Sequence, residues 1–462
     1  MSVLNLISRT KLYWGLLLIF ALGAVFSPVT SSGRNIFLSY GNLTDVLRQV
    51  SITGLVATGM TLVILVGGID LSVGSVMAFS TVVCAMLLTK AGWTAAAVMG
   101  VPATAIIAFV AVASLAHFIV KGLARGAQAE IGRRSSETLD AWRGRWLPLL
   151  FGLVAAALVL IFLVPQVSSK FGVVGVILVT ACAGLLLGSL NGLIIVAGRL
   201  QPFIVTLAMM VGVLGAARLT AGQDSAVLPV YTGTNATENF EVLRSMIGGV
   251  IPVPGVFFLA AICIFGALLR FTSFGRYIYA IGGNEEAAIL SGIRVARVKM
   301  AAYLFSGMLA GIAGVLFVAQ YRQGKPDAGT GLELDAIAAV VIGGTSLMGG
   351  RGGLAGTLVG VLIFGLLSDI LQLHNINSNL QLVLKGMIIV GTVLVQERNL
   401  GHLIGRWRLS LSAPRTEEPR SAVDERPSPA SPSPASPSPA SPSLASPSAT
   451  PQTKRENAHE TA

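Results

Sequence analysis

Long apolar runs separated by short polar connections make up most of this chain. The first run covers residues 12–26, and a polar connection, 31–48, follows it. From 49 to 89 the one charged side chain is Asp70, and the Gly67-Gly68 pair divides that stretch. Further apolar runs cover 93–120, 147–164, 172–197, 203–217, 256–269, 301–319, 337–342, 354–367 and 380–395. A helix crosses a bilayer with about 20 mostly apolar residues. The pattern therefore predicts an all-α polytopic membrane protein with about ten transmembrane helices, some of them broken.

The polar connections differ in charge. Residues 121–146 hold Lys121, Arg125, Arg133, Arg134, Arg143 and Arg145 against Glu130, Glu137 and Asp140. Residues 270–299 are basic and helix-prone, whereas 220–244 are polar and predicted on the opposite side. Basic loops stay in the cytoplasm, so 121–146 and 270–299 are expected there. Arg9 and Lys11 precede the first run without a cleavage pattern, which predicts an uncleaved first helix with a cytoplasmic N-terminus. Arg398, Arg406 and Arg408 predict a cytoplasmic exit. Residues 1–410 then form the membrane domain, and 411–462 a Ser/Pro/Ala-rich cytoplasmic tail. An A-S-P-S-P repeat over 427–447 has no apolar residues to fold around and predicts disorder.

Composition agrees with the membrane reading. Hydrophobic residues make up 53% and charged residues 11%, against about 25% charged in soluble domains. The net charge of +11 would suggest nucleic acid for a soluble protein. Here it belongs to the cytoplasmic loops, with lipid as the surroundings and no nucleic acid as partner. Cys84, Cys182 and Cys263 each stand alone in an apolar stretch, without metal or redox spacing. They read as small core hydrophobes, and no metal site is expected.

Three stretches carry mechanism. In Gly67-Gly68-Ile69-Asp70-Leu71-Ser72-Val73-Gly74-Ser75 the glycine pair breaks a helix, and Asp70 and Ser72 are placed to cap the one that restarts. Broken helices near the midplane build transport sites, and an ionisable residue at that depth is a functional candidate. Asp70 is thus either a helix cap near the interface or a pathway residue, and one side chain could be both. It is essentially the one ionisable residue deep in an apolar run.

The second stretch, Gly343-Gly344-Thr345-Ser346-Leu347-Met348-Gly349-Gly350, shares a G-G-x-x-L-x-x-G pattern with the first. The overlay pairs Gly67, Gly68, Leu71 and Gly74 with Gly343, Gly344, Leu347 and Gly350, which suggests an internal repeat. Gly307-x-x-x-Gly311 and Gly352-x-x-x-Gly356-x-x-x-Gly360 read as small-residue packing faces.

The third stretch is 274–293. Gly283 breaks the incoming chain, Asn284 is a good N-cap, and Glu285 and Glu286 suit a first helical turn. Ala287 and Ala288 favour helix, and Gly292 is a natural stop. A helix of about two turns is predicted, flanked by Arg276, Arg294, Arg297 and Lys299. Its plain reading is a surface connector. Its small Ala287-Ala288 face would also enter a cleft of a partner. No G-x-x-x-x-G-K-[ST] phosphate loop occurs anywhere, so any ATPase sits on another chain.

With these stretches, the segments Gly59-Met60-Thr61-Leu62-Val63-Ile64, Asn191-Gly192, Pro202-Phe203-Ile204-Val205-Thr206-Leu207 and Leu334-Asp335-Ala336-Ile337-Ala338 resemble the sugar-permease branch of ABC importers, the ribose, xylose and arabinose type. The resemblance covers about 40–110 and 170–397. Loop 121–145 and the Pro-rich tail are additions to that pattern. The resemblance implies a bundle like those of type II ABC importers, an inner-membrane homodimer, a cytoplasmic ABC ATPase that binds the ATP, and a periplasmic or lipid-anchored sugar-binding protein. It implies import of a pentose or hexose such as ribose or xylose, with no catalysis and no cofactor on this chain. It assigns ATPase coupling to Asn284, Glu285, Glu286, Ala287, Ala288, Ser291 and Gly292. The candidate pathway is Gly67, Gly68, Asp70, Ser72, Gly343, Gly344 and Thr345, to which the resemblance adds Asn191 and Thr206. The rival reading is a secondary, ion-coupled sugar transporter. Such a protein keeps several buried ionisable groups.

Overall fold

A computed structural model of the chain describes residues 3–89, 113, 148–149, 152–156, 172–222 and 226–396. The expected span 93–120 (residue 113 aside), most of 147–164, the basic loop 121–146 and the tail 411–462 lie outside the described residues.

The described part is helical. Its helices are α1 (Val3–Phe26), α2 (Tyr40–Leu65), α3 (Val73–Thr89), α4 (Val173–Gly198), α5 (Pro202–Ala221) and α6 (Val253–Phe271). After these come α7 (Ser273–Gly283), α8 (Glu285–Leu290), α9 (Val295–Tyr321), α10 (Leu332–Ile342), α11 (Leu354–Leu373) and α12 (Ser378–Gln396). Two-residue strands pair as small antiparallel ladders, Leu228–Pro229 with Gln323–Gly324 and Met246–Ile247 with Ile251–Pro252.

Six of the described helices, α2, α4, α5, α6, α9 and α11, are long and apolar enough to cross a membrane. Their outer faces are apolar too: Leu219 is 85% exposed, and Val174 and Val211 are also on the outside. Water does not tolerate such a surface, and lipid does. Cys182 and Cys263 lie on this outer surface and only Cys84 is buried, so the core reading holds for one of the three. In a membrane protein an apolar sequence environment does not distinguish core from lipid.

The apolar run 337–342 is the end of α10, which has only 11 residues. Its length of about 16 Å is half of a hydrocarbon core of about 30 Å. It is a half-helix, not a crossing. The chain reaches it from α9 through an irregular segment held beside α3, where the Thr81 hydroxyl donates to the Lys325 carbonyl at 2.8 Å. Gly74 of α3 and Gly329 meet backbone to backbone, and a Cβ on either would overlap the other. The N-termini of α3 and α10 are therefore neighbours.

At the centre stands α9, packed most extensively on α4 and then on α2 and α3. Glycine allows the closeness. Gly184 and Gly188 lie against Gly307, and Gly311 lies against Thr180, with no room for a Cβ at any of them. On α11, Gly356 meets Gly343 and Gly360 meets the Ala339 carbonyl in the same way. The Gly307/Gly311 and Gly356/Gly360 pairs are packing faces, as the spacing suggests, whereas Gly352 precedes α11 and is not part of its face.

Contacts at the helix ends define two sides of the bundle. On one side the Tyr40 hydroxyl bonds the Gly249 carbonyl, and Arg322 pairs with Glu241 at 3.0 Å. On the other lie α7, α8 and residues 343–353.

Candidate translocation core and coupling segment

The end of α2 determines the geometry of the first break. The Gly67 amide donates to the Ile64 carbonyl at 2.9 Å and the Gly68 amide to the Val63 carbonyl at 2.9 Å. This paired closure needs a left-handed residue, and Gly67 supplies it at φ +84°. Gly68 passes against the Tyr303 hydroxyl with no room for a side chain. The chain then turns to start α3.

Asp70 does not cap α3 through the amides of its first turn. One carboxylate oxygen accepts from the Ser72 amide at 3.1 Å and from the Ser72 hydroxyl at 2.7 Å. The other accepts from the Ser306 hydroxyl of α9 at 2.9 Å. Asn191 of α4 donates to the Ser72 oxygen at 2.7 Å, and Thr206 of α5 donates to the Ile69 carbonyl at 3.2 Å. Asp70 is 1% exposed, and Ser72, Asn191, Thr206 and Ser306 are fully buried. Four candidate pathway residues, Asp70, Ser72, Asn191 and Thr206, thus meet on one short segment. They tie the break to α4, α5 and α9.

Sequence reasoning missed two partners here. Ser306 supplies the third bond to Asp70. The Tyr303 hydroxyl and the Asn191 carbonyl oxygen are buried without a hydrogen-bond partner among the described residues. Two polar residues on an interior helix, Tyr303 four before Gly307 and Ser306 immediately before it, were the available signal.

Gly343, Gly344 and Thr345 lie elsewhere. They end α10: the Gly344 amide reaches the Val341 carbonyl at 2.8 Å and the Thr345 amide the Val340 carbonyl at 3.2 Å. The closure is the one seen at Gly67, and Gly344 is its left-handed residue at φ +85°. Gly67 therefore corresponds to Gly344, not to Gly343. The sequence overlay is displaced by one residue, because the left-handed position rather than the glycine count determines the register. The two breaks touch, since the Gly350 amide donates to the Leu65 carbonyl at 3.0 Å.

The helix expected from 274–293 is α8. Asn284 caps it, its side-chain oxygen accepting from the Ala287 amide at 2.9 Å. The Gly292 amide closes on Ile289 at 2.9 Å with φ +79°. Ser291 bonds the Ala287 carbonyl through both its amide and its hydroxyl. Glu285 pairs with Lys299 of α9 at 2.7 Å, and Glu286 is exposed. The small face is not presented as expected. Ala288 is 3% exposed, packed into its own chain, while Ile289 and Leu290 are the exposed apolar groups at 56% and 89%. Helix rotation relative to α7 and α9 decided this, and the sequence does not show it.

Helix α7 connects this helix to both breaks. Gly282 packs on the Leu65 carbonyl and on the backbone of Gly349 and Gly350, with no room for a Cβ. The Tyr279 hydroxyl donates to the Gly352 carbonyl at 3.0 Å.

Asp70 is not the one largely buried charge, since the Lys385 and Asp335 side chains are only 19% and 25% exposed. Lys385 of α12 pairs with Asp335 in the first turn of α10, at 2.9 and 3.1 Å. The Lys385 ammonium also lies 5.1 Å from the Phe364 ring centre. No group of three or more His, Cys, Asp or Glu residues suited to a metal occurs among the described residues.

The family model described as branched-chain amino acid transport system / permease component matches residues 42–128 and 146–393. The chain belongs to this permease family. The ribose import permease protein RbsC of Escherichia coli K12 is 36% identical over 369 residues, 78% of this chain and 87% of its own. The Bacillus subtilis RbsC is 35% identical over 363 residues, covering 78% and 86%. The L-arabinose ABC transporter permease protein AraH of Azospirillum brasilense is 30% identical over 398 residues, covering 86% and 89%. The xylose transport system permease protein XylH of Escherichia coli K12 is 31% identical over 388 residues, covering 79% and 86%. No solved structure matches. This permease is a multi-pass inner-membrane protein of an ABC importer. The family match includes both the Asp70 core and the α7–α8 segment.

Proposed function

We propose that this permease is the membrane subunit of an ATP-binding-cassette importer for a monosaccharide, a pentose or hexose such as ribose or xylose. The observation that carries the reading is similarity to ribose, xylose and arabinose permeases over 78–86% of the chain. The family model's description names amino-acid transport. The sugar reading follows the ribose, arabinose and xylose permeases, which match over 78–86% of the chain.

In this reading the permease works as a homodimer in lipid, with a cytoplasmic ABC ATPase and a periplasmic or lipid-anchored sugar-binding protein. ATP is bound by the ATPase, and this chain carries no cofactor. The lack of a phosphate loop in the sequence supports that division. Basic flanks at Arg276, Arg294 and Arg297 support a cytoplasmic α7–α8 segment, and Arg9 and Lys11 with Arg398, Arg406 and Arg408 support cytoplasmic termini. Residues 1–410 are the permease domain and 411–462 a solvated tail. The end of the family match at 393 supports this boundary.

The mechanism is a relay. The ATPase takes hold of α8, whose Asn284 cap and Gly292 stop keep it a rigid unit of six residues. Glu286 and Ala287, with Ile289 and Leu290, face the ATPase. Glu285 ties the unit to α9 through Lys299, while Ala288 and Ser291 brace it from within. A shift of α8 moves α7, and Gly282 passes the shift to Leu65 and Gly350 by direct backbone contact. The strands of chain at Gly67, Gly68, Gly343, Gly344 and Thr345 are the hinges. The hydrogen bonds among Asp70, Ser72, Asn191 and Thr206 hold the pathway wall in one arrangement and exchange partners in the other.

Uptake tests the reading. Cells carrying the complete importer are compared with cells lacking this chain, using radiolabelled ribose, xylose and arabinose. Loss of uptake of at least one of these sugars is expected. Equal uptake of all three in both strains contradicts it.

A further inference from the structure

A cleft between α2, α10, α11 and α12 differs from the rest of the bundle. Its volume is about 60 Å³, room for about four waters. Gln49 and Thr53 of α2 line one wall, and Ser368 and Gln372 of α11 another. The Asp335–Lys385 pair lies along its edge, with Phe364 beside the ammonium.

Such a wall is costly in a membrane protein. The Asp335 and Lys385 side chains are only 25% and 19% exposed, and an ion pair so largely buried pays desolvation on both partners and contributes little stability in return. The Ser368 hydroxyl donates to the Phe364 carbonyl at 3.0 Å and keeps its lone pairs to accept. The Gln49, Thr53 and Gln372 side chains have no protein partner among the described residues and take water or a solute instead. None of these residues belongs to the Asp70 core or touches α7 or α8 in the relay described above.

The chemistry is selective. The pair is neutral overall, so neither an anion nor a cation is favoured. The carboxylate and the amide and hydroxyl oxygens accept hydrogen bonds, and the ammonium, amides and hydroxyls donate them. A solute with many hydroxyls, each both donor and acceptor, satisfies such a wall. An apolar solute leaves it unpaired. The space admits one hydroxylated edge of a sugar ring in place of its water.

We propose that this cleft is a sugar subsite on the transport route, where the hydroxyls of a neutral monosaccharide replace water against Gln49, Thr53, Ser368, Gln372 and the Asp335–Lys385 pair. The proposal rests on the monosaccharide reading above and names the wall that the sugar meets.

Ser368→Cys provides the test, in the full chain with Cys182 and Cys263 replaced by Ser and its partner subunits present. A water-soluble methanethiosulfonate reagent is applied during uptake of whichever of ribose, xylose and arabinose the wild type imports. The thiol should be labelled, and labelling should slow about tenfold at sugar near ten times half-saturation. A pentose that is not imported should not protect. Thr53→Cys reads the facing wall if the first variant does not insert. Gln372→Leu should reduce uptake about fivefold, the loss of about one hydrogen bond. Labelling that ignores the imported sugar, or no labelling at either position while uptake proceeds, overturns the subsite and leaves the monosaccharide reading standing. A wild-type importer that takes up none of the three sugars overturns both.

Discussion

The Gly350 amide donates a hydrogen bond to the Leu65 carbonyl, 3.0 Å away, across 285 residues of sequence. It joins the end of α2 to the loop after α10. Gly282 of α7 packs on both partners. Any side chain at 282 must force these backbones apart, and overpacking of this kind costs about 1–3 kcal/mol. Gly282→Val should insert into the membrane and still bind the ATPase, since it lies outside α8. Sugar-stimulated ATP hydrolysis by the purified complex should fall about tenfold or more, and normal stimulation would remove Gly282 from the relay.

Asp70 accepts three hydrogen bonds in a fully buried setting. Asp70→Ala leaves the Ser72 amide and the Ser306 hydroxyl unpaired, at about 1–3 kcal/mol for each buried group. The effect on stability should therefore be larger than that of a lost helix cap, about 0.5–2 kcal/mol. Asp70→Asn keeps an acceptor and should unfold at a temperature between wild type and Asp70→Ala in detergent. Equal melting temperatures for all three proteins would show that the Asp70 hydrogen bonds add no stability.

Helix α8 has six residues, too few to be stable without its ends. Asn284→Ala removes the cap and should weaken it by about 1 kcal/mol. Gly292→Glu forces a side chain into a left-handed backbone, at about 1–2 kcal/mol. Amide exchange over 285–290 should quicken about fivefold in each variant, while exchange in α9 stays unchanged. Unchanged exchange in α8 would mean that neighbouring contacts, not its caps, hold it.

On the opposite side, burial pushes the Glu241 carboxyl up, but the Thr232 hydroxyl and the Arg322 and Arg244 guanidiniums outweigh it and hold its pKa below the ordinary 4.5. A carboxylate with a lowered folded pKa adds stability that is complete above its ordinary value and disappears as pH falls through the folded one. The group is largely exposed, so the effect is small. Wild type should melt above Glu241→Gln at pH 6, and the gap should close as pH falls below 4.5 and through the lowered folded value. A gap that persists at low pH would assign the difference to packing.

Legibility followed sequence distance. Helix α8 was readable because Asn284, Glu285 and Gly292 act on amides within a few residues of themselves. The Asp70 core was half readable: Asp70 and Ser72 mark the break locally, but Ser306 lies 236 residues away inside an apolar helix. The half-helix α10 was obscured because hydropathy measures apolarity and not where a chain dips back. Lys385 was overlooked for a related reason, since its partner Asp335 is 50 residues distant and only the pairing shows both largely buried. Ala288 was placed on the wrong face because nothing local specifies how a short helix is rotated against its neighbours.

In the proposed function, ATP hydrolysis on a partner chain drives a monosaccharide through this permease. The complete transporter in proteoliposomes, with ATP trapped inside and ionophores collapsing all ion gradients, tests it most directly. Uptake of radiolabelled ribose, xylose or arabinose should require the trapped ATP and should survive the ionophores. Uptake that proceeds without ATP and stops when the gradients collapse would contradict the account and identify an ion-coupled transporter.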